Sequence, residues 1–238
     1  MPRITERELA ATIDHAILKP DFTRSDVDAE LDTAAQWGVF SVCVRPSDIP
    51  YAVRRLDGTG VAVGTVIGFP HGTTSTTAKV AETIRALEDG ATEFDMVINI
   101  GALRSGFDDE VTSDIRAVVD AAGGLVTKVI LETSLLDDEQ IARGSRLTEA
   151  GGADFVKTST GFAGGGATVE HVRLMRATVG SRVQVKASGG VRSLDTALAM
   201  LDAGATRLGT SASATILGGL RAVLAGEQSA GAVDESSY

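Results

Sequence analysis

The run Val126-Thr127-Lys128-Val129-Ile130-Leu131-Glu132 leads into a helical stripe of Ile141, Leu147 and Ala150. Gly151-Gly152-Ala153-Asp154 follows, and then a second apolar run, Phe155-Val156-Lys157-Thr158-Ser159. This stretch reads as strand, helix, glycine joint, strand. The stripe recurs at helical spacing, the flanking runs are short and β-branched, and the glycine supplies the left-handed residue that ends a helix. A strand returning through a helix to another strand is the unit of a parallel sheet.

Working outward, the same joint recurs as Asp89-Gly90-Ala91-Thr92 and Ala203-Gly204-Ala205-Thr206. Strands are expected at 12–18, 39–44, 61–69, 93–98, 126–132, 155–159, 183–187 and Arg207–Thr210. Helical stripes fall between them: Leu31, Ala34 and Ala35; Val80, Ile84 and Leu87; Ile115, Val118 and Val119; Val172, Met175 and Val179; Leu194, Leu198 and Leu201. Eight such units in 238 residues fit a single-domain (β/α)₈ TIM barrel better than an open sheet, and no Gly-x-Gly-x-x-Gly opens the first turn. The barrel is expected to span 1–224. The small, polar stretch 225–238 is expected to be a mobile tail.

Composition narrows the function classes. The chain is 43% hydrophobic with a net charge of −10, which argues against nucleic acid as a partner. No apolar run approaches membrane-spanning length, and the charged first residues do not resemble a secretion signal. A single cysteine, Cys43, excludes an internal disulfide and favours a reducing compartment, so the cytoplasm is expected. His15, His71 and His171 show no ligand spacing, and no metal is expected.

The lysines are the informative residues. Only five occur among 22 basic residues, and Lys128, Lys157 and Lys186 lie inside strand-like runs. Lys can lose its proton and act as a nucleophile, whereas Arg effectively never does. Strand alternation puts Phe94, Met96, Ile98, Val129, Leu131, Val156, Val183 and Val185 against the helices. Asp95, Lys128, Glu132, Lys157 and Lys186, with Asp14, then face the barrel interior as a buried ionic network. Lys157 and Lys186 belong to adjacent strands, about 5 Å apart. Two ammonium groups about 6 Å apart repel by about 3 kcal/mol at an effective dielectric near 20, on the order of two pKa units. Desolvation acts in the same direction, leaving one amine free to attack a carbonyl.

Glycine-rich segments close the late strands: 158–166, with Gly161, Gly164, Gly165 and Gly166; Ser188-Gly189-Gly190; and Gly209-Thr210-Ser211. Backbone amides in such loops suit a phosphate.

Asp154-Phe155-Val156-Lys157-Thr158-Ser159-Thr160-Gly161-Phe162, Val185-Lys186-Ala187-Ser188-Gly189-Gly190-Val191-Arg192 and Glu93-Phe94-Asp95-Met96-Val97-Ile98-Asn99 together resemble the deoxyribose-phosphate aldolases. So do Ile13-Asp14-His15, Leu18-Lys19-Pro20, Lys128-Val129-Ile130-Leu131-Glu132-Thr133 and Gly165-Gly166-Ala167-Thr168-Val169. The resemblance runs collinearly from about Thr12 to Ser211. It implies a cofactor-free class I aldolase that cleaves 2-deoxy-D-ribose 5-phosphate to acetaldehyde and D-glyceraldehyde 3-phosphate. By that resemblance Lys157 is the Schiff-base lysine, Lys186 its perturbing partner and Asp95 the acid/base carboxylate. Asp14, Thr160, Gly161, Gly189, Gly190, Gly209 and Ser211 are expected around the substrate and its phosphate, with Lys128, Cys43 and Tyr238 as further candidates. Ala16 and Ala212 stand where relatives often carry hydroxyl residues. Expected partners are sugar phosphate and aldehyde substrates, with a homodimer as the expected assembly. The competing readings are an aldolase for another carbonyl substrate and a non-catalytic sugar-phosphate binding protein.

Overall fold

The alternation closes on itself in a computed structural model of the chain, which describes residues 4–226. The strands are β1 (Ile13–Ile17), β2 (Ser41–Val44), β3 (Ala62–Ile67), β4 (Glu93–Val97), β5 (Val126–Ile130), β6 (Phe155–Lys157), β7 (Gln184–Ser188) and β8 (Arg207–Thr210). All are parallel and pair in sequence order, and β8 pairs back onto β1 through Ile13 opposite Leu208 and Asp14 opposite Gly209.

Helices fill each return. After α1 (Glu6–Ala10), α2 (Arg24–Trp37) follows β1 and α3 (Ile49–Leu56) follows β2. Then α4 (Thr76–Glu88) follows β3, while α5 (Ile100–Ser105) and α6 (Asp108–Ala121) follow β4. The ring is completed by α7 (Asp138–Gly151), α8 (Val169–Thr178), α9 (Leu194–Asp202) and α10 (Ser213–Leu224). Gly90, Gly152 and Gly204 of the three joints have φ of 100°, 90° and 109°, the left-handed conformation expected of them. Among the described residues no helix is long and apolar enough to cross a membrane. Tyr238 and most of the expected tail lie outside the described residues.

The main core sits between sheet and helices. Phe94, Met96, Ile98, Val129, Leu131, Val156, Val183 and Val185 are fully buried in it, as alternation requires. Two expectations are corrected. Strand 126–132 ends at Ile130, because Glu132 turns into the left-handed region at φ 60°. On α4 the stripe Val80, Ile84 and Leu87 does not face the core: Ile84 is 45% exposed, and the inward face is Lys79, Thr83 and Ala86. The reason is an ion pair that hydropathy cannot signal. Lys79 Nζ lies 2.6 Å from Asp114 Oδ2 on α6 and donates to the Val97 carbonyl at 2.9 Å, so the helix turns a charge inward. A smaller offset occurs on α7, where Ala150 is exposed and Ser145 and Thr148 share the buried face with Ile141.

Candidate active site

The inward faces of six strands build one ionic column. Asp95 stands on β4 and Lys128 opposite it on β5, while Lys157 on β6 is the direct cross-strand neighbour of Lys186 on β7. Asp95 joins all three lysines: Oδ1 accepts from Lys128 at 2.9 Å, and Oδ2 from Lys157 and Lys186 at 2.7 Å each. Lys186 also meets Asp14 Oδ2 at 2.5 Å. The four side chains Asp95, Lys157, Lys186 and Asp14 are at most 4% exposed.

Toward the opposite end of the barrel, two residues outside the expected network complete it. Glu93 Oε2 accepts from Lys128 at 2.6 Å, and Arg207 bridges Glu93 Oε2 at 2.8 Å to Asp14, to which its Nε donates at 2.8 Å. The Arg207 guanidinium covers the Phe40 ring at 3.7 Å. Both were legible in principle. Glu93 precedes Asp95 by two residues on one face, and Arg207 alternates with Gly209 across the apolar Leu208. Glu132, expected in this network, stands outside it. Once β5 ends and the chain turns, its carboxylate leaves the barrel axis and instead accepts from the Thr160 amide at 3.2 Å and from the Thr160 hydroxyl.

Electrostatics separate the two neighbouring lysines. Burial opposes charge on Lys186, yet Asp14 and then Asp95 hold its pKa well above the ordinary lysine value. Burial lowers that of Lys157, and the Lys186 charge adds to the depression, while Asp95 opposes it. The direction is the one expected, but burial leads over repulsion. Asp95 and Asp14 are held below the usual carboxylate range by the surrounding cations, against the cost of burial. Burial, followed by the Asp95 charge, pushes the Cys43 thiol up to about 11, which keeps it a neutral thiol.

The column opens at the carboxyl ends of the strands into a recess lined by Asp14, Ala16, Leu18, Cys43, Lys157, Thr160, Lys186, Ser188, Gly189 and Gly209. A second recess is formed by Gly161, Gly164, Gly165, Gly166, Gly189, Gly190 and Arg192, and shares Gly189 with the first. The Gly166 and Gly189 backbones approach so closely that a Cβ on Gly166 would lie 2.4 Å from the Gly189 carbonyl oxygen. Ser211 follows β8 on the same rim and is exposed, and Ala212 caps α10 without a side-chain hydrogen bond. Lys128 lies deeper, between Glu93 and Asp95. His15 is buried and bound to Glu30 at 2.7 Å and Ser213 at 2.8 Å. Among the described residues no group of three or more His, Cys, Asp and Glu could hold a metal.

A buried amine of depressed pKa beside a fixed ammonium, open to a polar recess, can form an imine with a carbonyl. A family model described as the DeoC/LacD family aldolases matches residues 9–224. The chain belongs to that family. It is 56% identical over 211 residues to a deoxyribose-phosphate aldolase of Staphylococcus haemolyticus, covering 89% of this chain and 96% of the relative. It is also 56% identical to deoxyribose-phosphate aldolase 2 of Staphylococcus aureus, over 90% of this chain and 97% of the relative. Among solved structures, an aldolase designated QR15 matches with a TM-score of 0.86 at 39% identity, over 90% of this chain and 96% of that one. The tetrameric deoxyribose phosphate aldolase of Aeropyrum pernix matches with a TM-score of 0.85 at 32% identity, over 92% and 93%. The protein is therefore an aldolase, a carbon–carbon lyase on a (β/α)₈ barrel.

Proposed function

We propose that this aldolase cleaves 2-deoxy-D-ribose 5-phosphate reversibly to acetaldehyde and D-glyceraldehyde 3-phosphate, with Lys157 forming the Schiff base. The observation that carries the proposal is the pair Lys157 and Lys186 on one carboxylate, with burial disfavouring charge on Lys157 while two carboxylates hold Lys186 protonated. The neutral Lys157 amine adds to C1 of the open-chain sugar, and loss of water with uptake of a proton gives a protonated imine. The electron pair of the C2–C3 bond flows into that imine and leaves an enamine. The 3-hydroxyl proton passes to Asp95 as glyceraldehyde 3-phosphate departs. Lys186, sharing Asp95 Oδ2, returns a proton to C2, and water then releases acetaldehyde. Positioned proton transfer of this kind contributes typically about 10²–10⁴-fold.

The phosphate is assigned to the glycine recess, where Gly161, Gly189 and Gly190 meet beside Arg192, and by the family resemblance Gly209 and Ser211 after β8 serve the same end of the substrate. Such backbone donors hold an anion despite the protein's net charge of −10. Asp14 orients Lys186, and Thr160 faces the substrate. The proposal takes the enzyme to be cytoplasmic and homodimeric; sedimentation at micromolar concentration tests the assembly.

Borohydride reduction in the presence of acetaldehyde should add one two-carbon unit, located by peptide mass at Lys157. Lys157→Ala should abolish both the adduct and turnover, and a variant that cleaved substrate at the wild-type rate would end this reading. Replacing acetaldehyde by dihydroxyacetone phosphate as donor should give no product, which separates this activity from aldolases of other donor classes.

A further inference from the structure

Glu132 is an anomaly that the ionic column does not explain. Among the described residues it alone combines a non-glycine side chain with positive φ (60°, ψ 64°). The residue is 1% exposed, feels the Lys157 charge without forming a salt bridge to it, and leaves Oε1 without a hydrogen bond. A left-handed glutamate and an unpaired buried carboxylate are both costly, and glycine or asparagine would make the turn more cheaply. Strain that persists against cheaper alternatives points to a role in the site.

Among the described residues, the only groups donating to this carboxylate are those of Thr160. The Thr160 amide and hydroxyl both point at Oε2. A hydroxyl has one proton and two lone pairs. With the proton given to Glu132 and one lone pair accepting from the Phe162 amide at 3.0 Å, Oγ1 keeps a single lone pair. Thr160 lines the Lys157 recess, and the next residue, Gly161, lines the glycine recess. Thr160 thus joins the amine's recess to the proposed phosphate seat, and its Oγ1 can meet substrate only as an acceptor.

We propose, resting on the reading of the preceding section, that Glu132 is a positioning residue. Its carboxylate holds the Thr160 hydroxyl proton so that Oγ1 accepts a hydrogen bond from the substrate's 4-hydroxyl, the hydroxyl between the bond that breaks and the phosphate. Glu132 in this way sets specificity for a hydroxylated acceptor without touching it. A substrate without that hydroxyl leaves the Oγ1 lone pair buried and unsatisfied, a loss of about ten- to a hundredfold for an acceptor backed by a charge.

The test compares acetaldehyde addition to D-glyceraldehyde 3-phosphate and to 3-oxopropyl phosphate, which differs only in lacking that hydroxyl. Wild-type kcat/KM should favour the hydroxylated acceptor by about ten- to a hundredfold. Thr160→Val and Glu132→Ala should each reduce the preference to less than about threefold, through a larger loss on the hydroxylated acceptor than on the other. Glu132→Gln should retain most of it, because the Thr160 amide requires an acceptor and so orients the amide oxygen correctly. Borohydride trapping of acetaldehyde on Lys157, which needs no acceptor, should persist in both Glu132 variants and certifies their folding. A preference unchanged in Glu132→Ala, equal losses on both acceptors, or Glu132 variants that no longer trap acetaldehyde would overturn the proposal while leaving the aldolase reading intact. A wild-type protein that neither traps acetaldehyde nor uses either acceptor would overturn that reading and this one together.

Discussion

At the scale of single residues, the division between Lys157 and Lys186 rests on which carboxylates each one meets. Among the described carboxylates, Lys186 touches Asp14 and Asp95, whereas Lys157 touches only Asp95, so one stays charged and burial weighs more heavily on the other. Imine formation needs the neutral amine, so the trapping rate should rise with pH through the lowered Lys157 pKa. Replacing Lys186 by Met removes a charge that depresses that pKa and frees Asp95 to favour the ammonium. The trapping profile should therefore move to higher pH, as pH-jump borohydride kinetics would show; a profile that stayed in place would contradict the electrostatic account. These residues were legible because lysine is scarce in the chain and because strand alternation sorts inward from outward. Glu132 was not. Alternation carried two residues past the end of β5 puts it in the barrel, and only the backbone turn, which no residue type there announces, takes it out.

Among the elements, α4 departs furthest from what hydropathy suggests, for a reason that makes a stability prediction. Lys79 is fully buried, its amine shared between the last carbonyl of β4 and Asp114 on α6, whose other oxygen accepts from Thr76 at 2.7 Å. That contact clamps two helices onto the strand that carries Asp95. Truncating one partner leaves an uncompensated buried charge, so Lys79→Ala should cost about 3–5 kcal/mol, read as a lower urea midpoint. The double replacement Lys79→Met with Asp114→Leu should recover most of the loss, since apolar pairs of similar volume commonly serve as well. A hydrophobic period finds the right helix here and the wrong face, because the signal for a buried ion pair lies in two residues 35 apart in the chain. The joint glycines were readable, since each needs a conformation that few other residues adopt.

Across the whole molecule, one sheet serves both stability and chemistry. Asp14 and Asp95 titrate below their ordinary values in the folded protein. The unfolded chain then binds protons first as pH falls, so their contribution is complete above about pH 4 to 5 and is lost progressively below it. The melting temperature should fall on this account as pH drops below about 4, and Asp95→Asn should flatten the slope. The closed fold was evident from eight evenly pitched units. The full depth of the column was not, because Arg207 and Glu93 act at the end of the barrel remote from the chemistry. In that column Arg207, Lys128, Lys157 and Lys186 are four potential cations facing three carboxylates, Asp14, Glu93 and Asp95. The interior is neutral only while one amine is bare, and a protonated imine restores the missing positive charge. Charging the enzyme with acetaldehyde must therefore draw a hydrogen ion from the medium, and an unbuffered solution, followed with an indicator dye, should turn slightly alkaline in proportion to the sites filled.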